Sequence, residues 1–197
     1  MLYKSTRNSQ LRLEASQVIA QGISEEGGLF VPECFPDLSS ELPDLAKLDY
    51  PTLAKTVFSK FLTDFTEEEI GTCVDRAYSP EKFGGPCPVK LQALPRMGED
   101  KCLLELWHGP TSAFKDMALQ MLPQLLSAAL RKRGELDGIP ELGQFADALE
   151  GATLDTIRSG VMTGDLALLW EGEEPAQKVS SIAFLKEIRN HLEAKLS

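Results

Sequence analysis

The chain has 197 residues, 43% of them apolar, which is enough for a packed core and too many for wholesale disorder. Its net charge of −10 argues against a general nucleic-acid or anionic-membrane binder, because neutralising phosphates requires clustered Lys and Arg. No apolar run approaches the roughly 20 residues of a membrane span, and the opening MLYKSTRNSQ lacks the apolar centre of a secretory signal.

Tyr3 to Thr6 reads as a short extended piece. Leu11, Leu13, Val18 and Ile19 surround a helix that should end near Gly22. After the turn Glu25-Glu26-Gly27-Gly28, the run Leu29-Phe30-Val31 is β-like and is stopped by Pro32. Residues 33–51, with Pro36, Pro43 and Pro51, read as loop with short turns. Leu53, Val57, Phe58, Phe61 and Leu62 follow helical spacing. Thr66-Glu67-Glu68-Glu69 is a capping-box signature, and the helix after it should turn Ile70, Cys73, Val74 and Ala77 inward. Gly84-Gly85-Pro86-Cys87-Pro88 breaks that helix.

Val89–Leu94 and Cys102–Trp107 read as two strands joined by a turn around Gly98-Glu99-Asp100. His108-Gly109-Pro110-Thr111 is a turn feeding a helix, whose apolar stripe is Phe114, Met117, Ala118, Met121 and Leu125. Pro123 should kink or end that helix. Leu142, Phe145, Ala146, Leu149, Ala152 and Thr153 mark a later helix. Phe184, Leu185, Ile188, Leu192 and Leu196 mark a last one, capped by Ser180 or Ser181. Between them Gly160 to Ala167 reads as a turn with a new helix starting at Thr163.

Cys34, Cys73, Cys87 and Cys102 lie far apart, with no CxxC pair, and read as free thiols of a reducing compartment. A zinc site is not expected, because His108 and His191 are the only histidines and neither has ligand spacing. Charge is unevenly spread: 15 Lys+Arg face 18 Asp+Glu up to Arg133, and 5 face 12 from Gly134 onward. The basic knot Arg131-Lys132-Arg133-Gly134 lies at the change.

The densest polar constellation is Leu104 to Asp116, a strand–turn–helix that carries Lys115 near its end. A lysine on the first turn of a helix, beside aromatic and apolar groups, is a candidate Schiff-base nucleophile. The helix's positive end and desolvation both disfavour the ammonium and should lower its pKa. On spacing alone, Lys115 reads as a solvated surface lysine rather than a nucleophile, and His108 as a turn histidine rather than a base.

The string LELWHGPTSAFKDMALQ resembles the pyridoxal-lysine segment of the threonine synthase family, and YKSTR and ISEEGGLFVPE resemble that family's opening. The resemblance covers about Met1 to Leu130. It implies that Lys115 carries pyridoxal 5'-phosphate as a Schiff base, with the ring as electron sink, and that the substrate is O-phosphohomoserine. In that reaction phosphate leaves the γ-carbon and water adds at the β-carbon to give threonine. His108, Thr111, Ser112, Phe114 and Asp116 fall within the matching motif. Thr111 and Ser112 are expected to offer hydroxyls near the substrate, with His108 also on the substrate side and Asp116 orienting the lysine region.

The family's enzyme is considerably longer, and its glycine-rich phosphate loop lies downstream of the lysine. No Gly/Ser/Thr-rich turn after a strand follows residue 115 here. RGELDGIPEL, FADALEGATLDTIRSGVMTGDLALL and SSIAFLKEIRNHLEAKL, from about Arg131 to Ser197, resemble the C-terminal end of an NADP-dependent isocitrate dehydrogenase. Thr163 and Asp165 in it read as helix caps.

The expected fold is α+β and mostly helical. It comprises a small sheet at residues 88–107 from a truncated pyridoxal-phosphate-dependent, tryptophan-synthase-β-like α/β fold, followed by C-terminal helices. Three segments are expected: 1–85 as a threonine-synthase-like helical domain, 86–133 as the start of the cofactor domain, and 134–197 as the dehydrogenase-like tail. Two functions stay open. One is a threonine-synthase-like lyase, cytoplasmic, truncated and inactive alone unless a second chain completes its site. The other is a non-catalytic composite fragment or interaction module. The composite itself reads as a fusion, a deletion product or an assembly artefact. Neither a nucleic-acid nor a membrane partner is expected, and the oligomeric state is open.

Overall fold

The computed structural model describes residues 1–98 and 101–197; of the turn expected around Gly98-Glu99-Asp100, Glu99 and Asp100 lie outside them. The architecture is mostly helical α+β, with three two-stranded sheets among the described residues. The chain divides into two compact units, Met1–Lys132 and Arg133–Ser197.

The first unit opens with β1 (Tyr3–Ser5), paired antiparallel to β2 (Phe30–Pro32) with Tyr3 opposite Pro32. α1 (Ala15–Gln21) lies between them and ends at Gly22, whose φ of +78° suits a residue without Cβ. Leu11 and Leu13 precede the helix: Tyr3 and Leu13 exchange backbone hydrogen bonds and form an isolated bridge. The proline-rich stretch contains one helical turn, α2 (Leu42–Leu45), with Pro43 in its first turn, where a missing N–H costs nothing. α3 (Tyr50–Phe61) is capped by the Asp49 carboxylate, which accepts from the Thr52 amide at 2.8 Å.

α4 (Glu67–Ala77) realises the capping box. Thr66 Oγ1 accepts from the Glu69 amide at 3.2 Å, and the Glu69 carboxylate accepts from the Thr66 amide at 2.6 Å. Ile70, Cys73, Val74 and Ala77 are buried, as their spacing requires. The single turn α5 (Pro80–Phe83) ends at Gly84. β3 (Lys90–Ala93) and β4 (Cys102–Glu105) form an antiparallel hairpin with Leu91 opposite Leu104, and β3 is exposed along its whole length. Both strands are shorter than their apolar runs, and Trp107 lies outside β4.

The helix expected through Phe114 to Leu125 is two helices, α6 (Asp116–Leu119) and α7 (Leu122–Leu136). Pro123 is the reason. It has no N–H for the Leu119 carbonyl, so the chain breaks at Gln120-Met121 and restarts with the proline in its first turn. Ala54, Leu62, Phe65, Ile70, Val74, Phe83, Met121 and Ala129 form the buried core of this unit.

In the second unit α8 (Glu141–Arg158) packs on α9 (Ser181–Leu196), burying Ala146, Ala152, Thr156 and Ile188. Ser180 caps α9, accepting from the Ala183 amide at 3.2 Å. The helix expected at Thr163 is not formed. Val161–Thr163 is strand β5, parallel to β6 (Gln177–Val179), and only a 3-10 turn at Leu166–Leu168 follows. Burial of Met162 at 1% exposure rewards the extended form, and Gly160 at φ +81° turns the chain into it.

Among the described residues no helix is long and apolar enough to cross a membrane, and no group of three or more His, Cys, Asp or Glu could hold a metal ion.

Candidate functional site

Lys115 is the N-cap residue of the four-residue α6, not a residue inside the first turn of a long helix, and its side chain is exposed. The desolvation expected of it is therefore not present. It stands on a cavity of about 560 Å3 lined by Tyr50, Val89, Leu104, Leu106, Phe114, Met117, Ala118 and Leu119. Among the described residues Lys115 is the only charged one in that lining. Leu91 and Leu104 share one face of the hairpin, and Leu104 brings that face to the cavity. The cavity thus has apolar walls and one primary amine.

The turn before Lys115 is held from within. Asp116 is fully buried, and its two carboxylate oxygens accept from one residue: Oδ2 from the Thr111 amide at 2.9 Å and Oδ1 from the Thr111 hydroxyl at 2.8 Å. Ser112 lies at φ +54°, the only non-glycine residue at positive φ among the described residues, and its amide donates to the Gly109 carbonyl at 3.0 Å. Ser112 and Phe114 are exposed.

His108 is half-buried, and its Nε2 lies 2.7 Å from the Glu105 carboxylate, with both side chains 19% exposed. The Trp107 ring lies 5.8 Å from the imidazole. Glu105 ends β4, so the hairpin sets the orientation of His108.

Two residues packed near this segment carried no signal in the sequence. The Tyr78 hydroxyl donates to the Met117 carbonyl at 2.8 Å, tying the end of α4 to α6. Burial, and then the neighbouring Tyr50 hydroxyl, push the Tyr78 phenol well above its ordinary pKa, so it remains a donor. Tyr50, which lines the cavity, packs edge-on against Tyr78 at 5.2 Å. Neither tyrosine stands near Lys115 in sequence, and no spacing rule could have placed them there.

The structure thus brings Lys115 and Phe114 to the cavity, turns Thr111 and Asp116 toward each other, and leaves the Ser112 side chain exposed. A primary amine beside apolar walls can add to an aldehyde, and the walls suit a planar ring. They fit pyridoxal phosphate in part: amine and ring surface are present, and among the described residues the lining offers the phosphate no cation besides Lys115 itself.

Residues 2–78 match the family model described as threonine synthase N terminus. The threonine synthase of Methylobacillus glycogenes is 32% identical over 144 residues, covering 71% of this chain and 30% of that protein. The threonine synthase of Saccharomyces cerevisiae is 29% identical over 168 residues, covering 83% of this chain and 32% of that protein. Among solved structures, the PLP-bound threonine synthase from Brucella melitensis superposes with a TM-score of 0.60 at 31% identity, covering 68% of this chain and 28% of that one. The chain therefore spans about 30% of the length of the curated relatives it matches.

Proposed function

We propose that this chain, which carries an N-terminal threonine synthase domain, bears the cofactor lysine of a pyridoxal-phosphate-dependent lyase acting on O-phosphohomoserine. The observation that carries the reading is the placement of Lys115 on an apolar cavity, within a chain 32% identical over 144 residues to a threonine synthase. Bound there, pyridoxal phosphate would supply an electron sink for carbanion chemistry at the substrate. Lys115 would hold it and move protons at the substrate's α- and β-carbons. Leu104, Leu106 and Phe114 would exclude water from the ring. Ser112 and His108 are the polar groups of the motif left to meet the substrate, with Glu105 fixing the imidazole. Thr111 and Asp116 serve the turn that carries Lys115. The reaction would proceed in a reducing cytoplasm, in keeping with four unbridged cysteines.

By itself the chain would hold the cofactor weakly and turn over little substrate. Affinity rests heavily on phosphate contacts, and the cavity lining offers the amine alone. The test adds pyridoxal phosphate to the purified chain, reduces with borohydride and maps the adduct by mass spectrometry. A visible absorption band and a reduced adduct on Lys115, both lost in Lys115→Ala, are expected. Labelling spread evenly over the lysines, or a band indifferent to the substitution, overturns the reading.

The second reading is a non-catalytic composite, with residues from about 131 derived from the tail of an isocitrate dehydrogenase. The quoted strings and the charge change at Arg133 support it. The yeast relative weighs against it: 83% of this chain is about 164 residues, so that match runs past residue 133 wherever it begins. Single-molecule reading of genomic DNA across codons 125–140 decides. An unbroken longer threonine-synthase frame removes the composite; the same joint in the genome establishes it.

A further inference from the structure

We propose that Thr111, Asp116 and Gly109 form one positioning lock, which sets the peptide of Lys115 at the cavity mouth and takes no part in substrate binding. The proposal rests on Lys115 being the cofactor lysine, as argued above. Asp116 follows Lys115 directly and is fully buried. Each of its carboxylate oxygens is taken by a hydrogen bond from Thr111, at 2.9 Å from the amide and 2.8 Å from the hydroxyl. Both carboxylate oxygens are thus engaged within the turn, and the Thr111 hydroxyl spends its one proton there. The seat is Gly109. A Cβ there would lie 2.5 Å from Asp116 Cβ and 2.6 Å from Oδ2, so only glycine lets the carboxylate come in. Ser112, held at φ +54°, makes the reversal that brings Thr111 back over Asp116. Residues 109–116 are thus tied end to end, and Lys115 is the residue this tie presents to Leu104, Leu106 and Phe114.

A lock of this kind acts through the lysine, so its removal should move the amine without unfolding the chain. Reductive methylation with 13C-formaldehyde gives each lysine a methyl resonance, and Lys115→Arg assigns the one of interest. Thr111→Val should move the Lys115 resonance from its position in the unaltered chain and lower borohydride-trapped pyridoxal phosphate at Lys115 on the order of tenfold or more. Thr111→Ser should restore both. Asp116→Asn replaces Thr111→Val should the latter not fold. A folded Thr111→Val chain whose Lys115 resonance and trapping match the parent overturns the lock. If the resonance moves and returns as expected while the parent traps no cofactor at Lys115, the lock stands and the lyase reading falls.

Discussion

Gly109→Ala probes the seat of the lock from the opposite side. Its φ is outside the left-handed region, so alanine is not excluded by the backbone, and any penalty comes from the new methyl. That methyl would lie 2.5 Å from Asp116 Cβ, 2.6 Å from Oδ2 and 2.8 Å from Cγ. Because the first of these atoms is Cβ, rotation of the Asp116 side chain cannot relieve the contact. The residue must retreat by about 1 Å to reach ordinary carbon–carbon separation. The two bonds from Thr111, at 2.9 and 2.8 Å, then pass beyond hydrogen-bond range. Hydrogen bonds to a charged group contribute about 1.5–3 kcal/mol each, and a displaced carboxylate recovers part of this from water. A net loss of about 2–4 kcal/mol is expected. Urea unfolding followed by far-UV circular dichroism reads it as a lower midpoint at unchanged slope. The double variant Gly109→Ala/Thr111→Val should lose little more than Gly109→Ala alone, because valine removes only the hydroxyl bond, which the alanine methyl has already displaced together with the amide bond. A midpoint equal to the parent's, or strict additivity of the two changes, would refute the reasoning.

Two further predictions concern what ties the front helices to this segment. Lys132 Nζ, on a side chain 10% exposed, lies 2.9 Å from the Glu69 carboxylate and 5.5 Å from the Phe65 ring centre. Burial alone would raise the Glu69 carboxyl, but Lys132 and the Thr66 amide outweigh it and hold it below its ordinary value. Its contribution is therefore present above the unfolded carboxylate pKa and is lost as pH falls through the depressed folded value. Glu69→Gln should cost about 1–3 kcal/mol at neutral pH and flatten the acid limb of stability against pH; acid limbs that run parallel in the two proteins would contradict this. Tyr78→Phe removes the donor to the Met117 carbonyl and should cost about 1 kcal/mol in urea unfolding, with weaker cofactor trapping at Lys115; unchanged trapping would separate α4 from the site.

Elements written in local chemistry were legible. Thr66 and Glu69 satisfy each other's backbone across three residues, and the Ser180 hydroxyl accepts from an amide in the first turn of α9, so no distant partner is needed to see them. What escaped depends on partners far along the chain. β5 pairs with a strand beginning 16 residues after its own start, and the β-branched Val161 and Thr163 between Gly160 and Gly164 were a usable strand signal that the capping reading of Thr163 overrode. The break between α6 and α7 fell earlier than Pro123 because the proline's missing donor is felt at the carbonyl four residues back.

The site divides along the same line. The amine was legible because a motif carries it; its surroundings were not, because they arrive from three separate places. Tyr50 comes from the head of α3, Tyr78 from the end of α4, and Leu104 and Leu106 from the hairpin and the residue just past it. Charge distribution then decides what such a site can hold. The carboxylates nearest the amine in sequence are spent internally, Asp116 on Thr111 and Glu105 on His108, so neither opposes an incoming phosphorylated ligand from an open position. The exposed cation is left facing apolar carbon, an arrangement that suits an aromatic aldehyde better than a bare phosphate. Pyridoxal lacking its phosphate should accordingly be trapped on Lys115 nearly as well as the phosphorylated form, because the lining discriminates ring and carbonyl and gives the phosphate no second cation to meet.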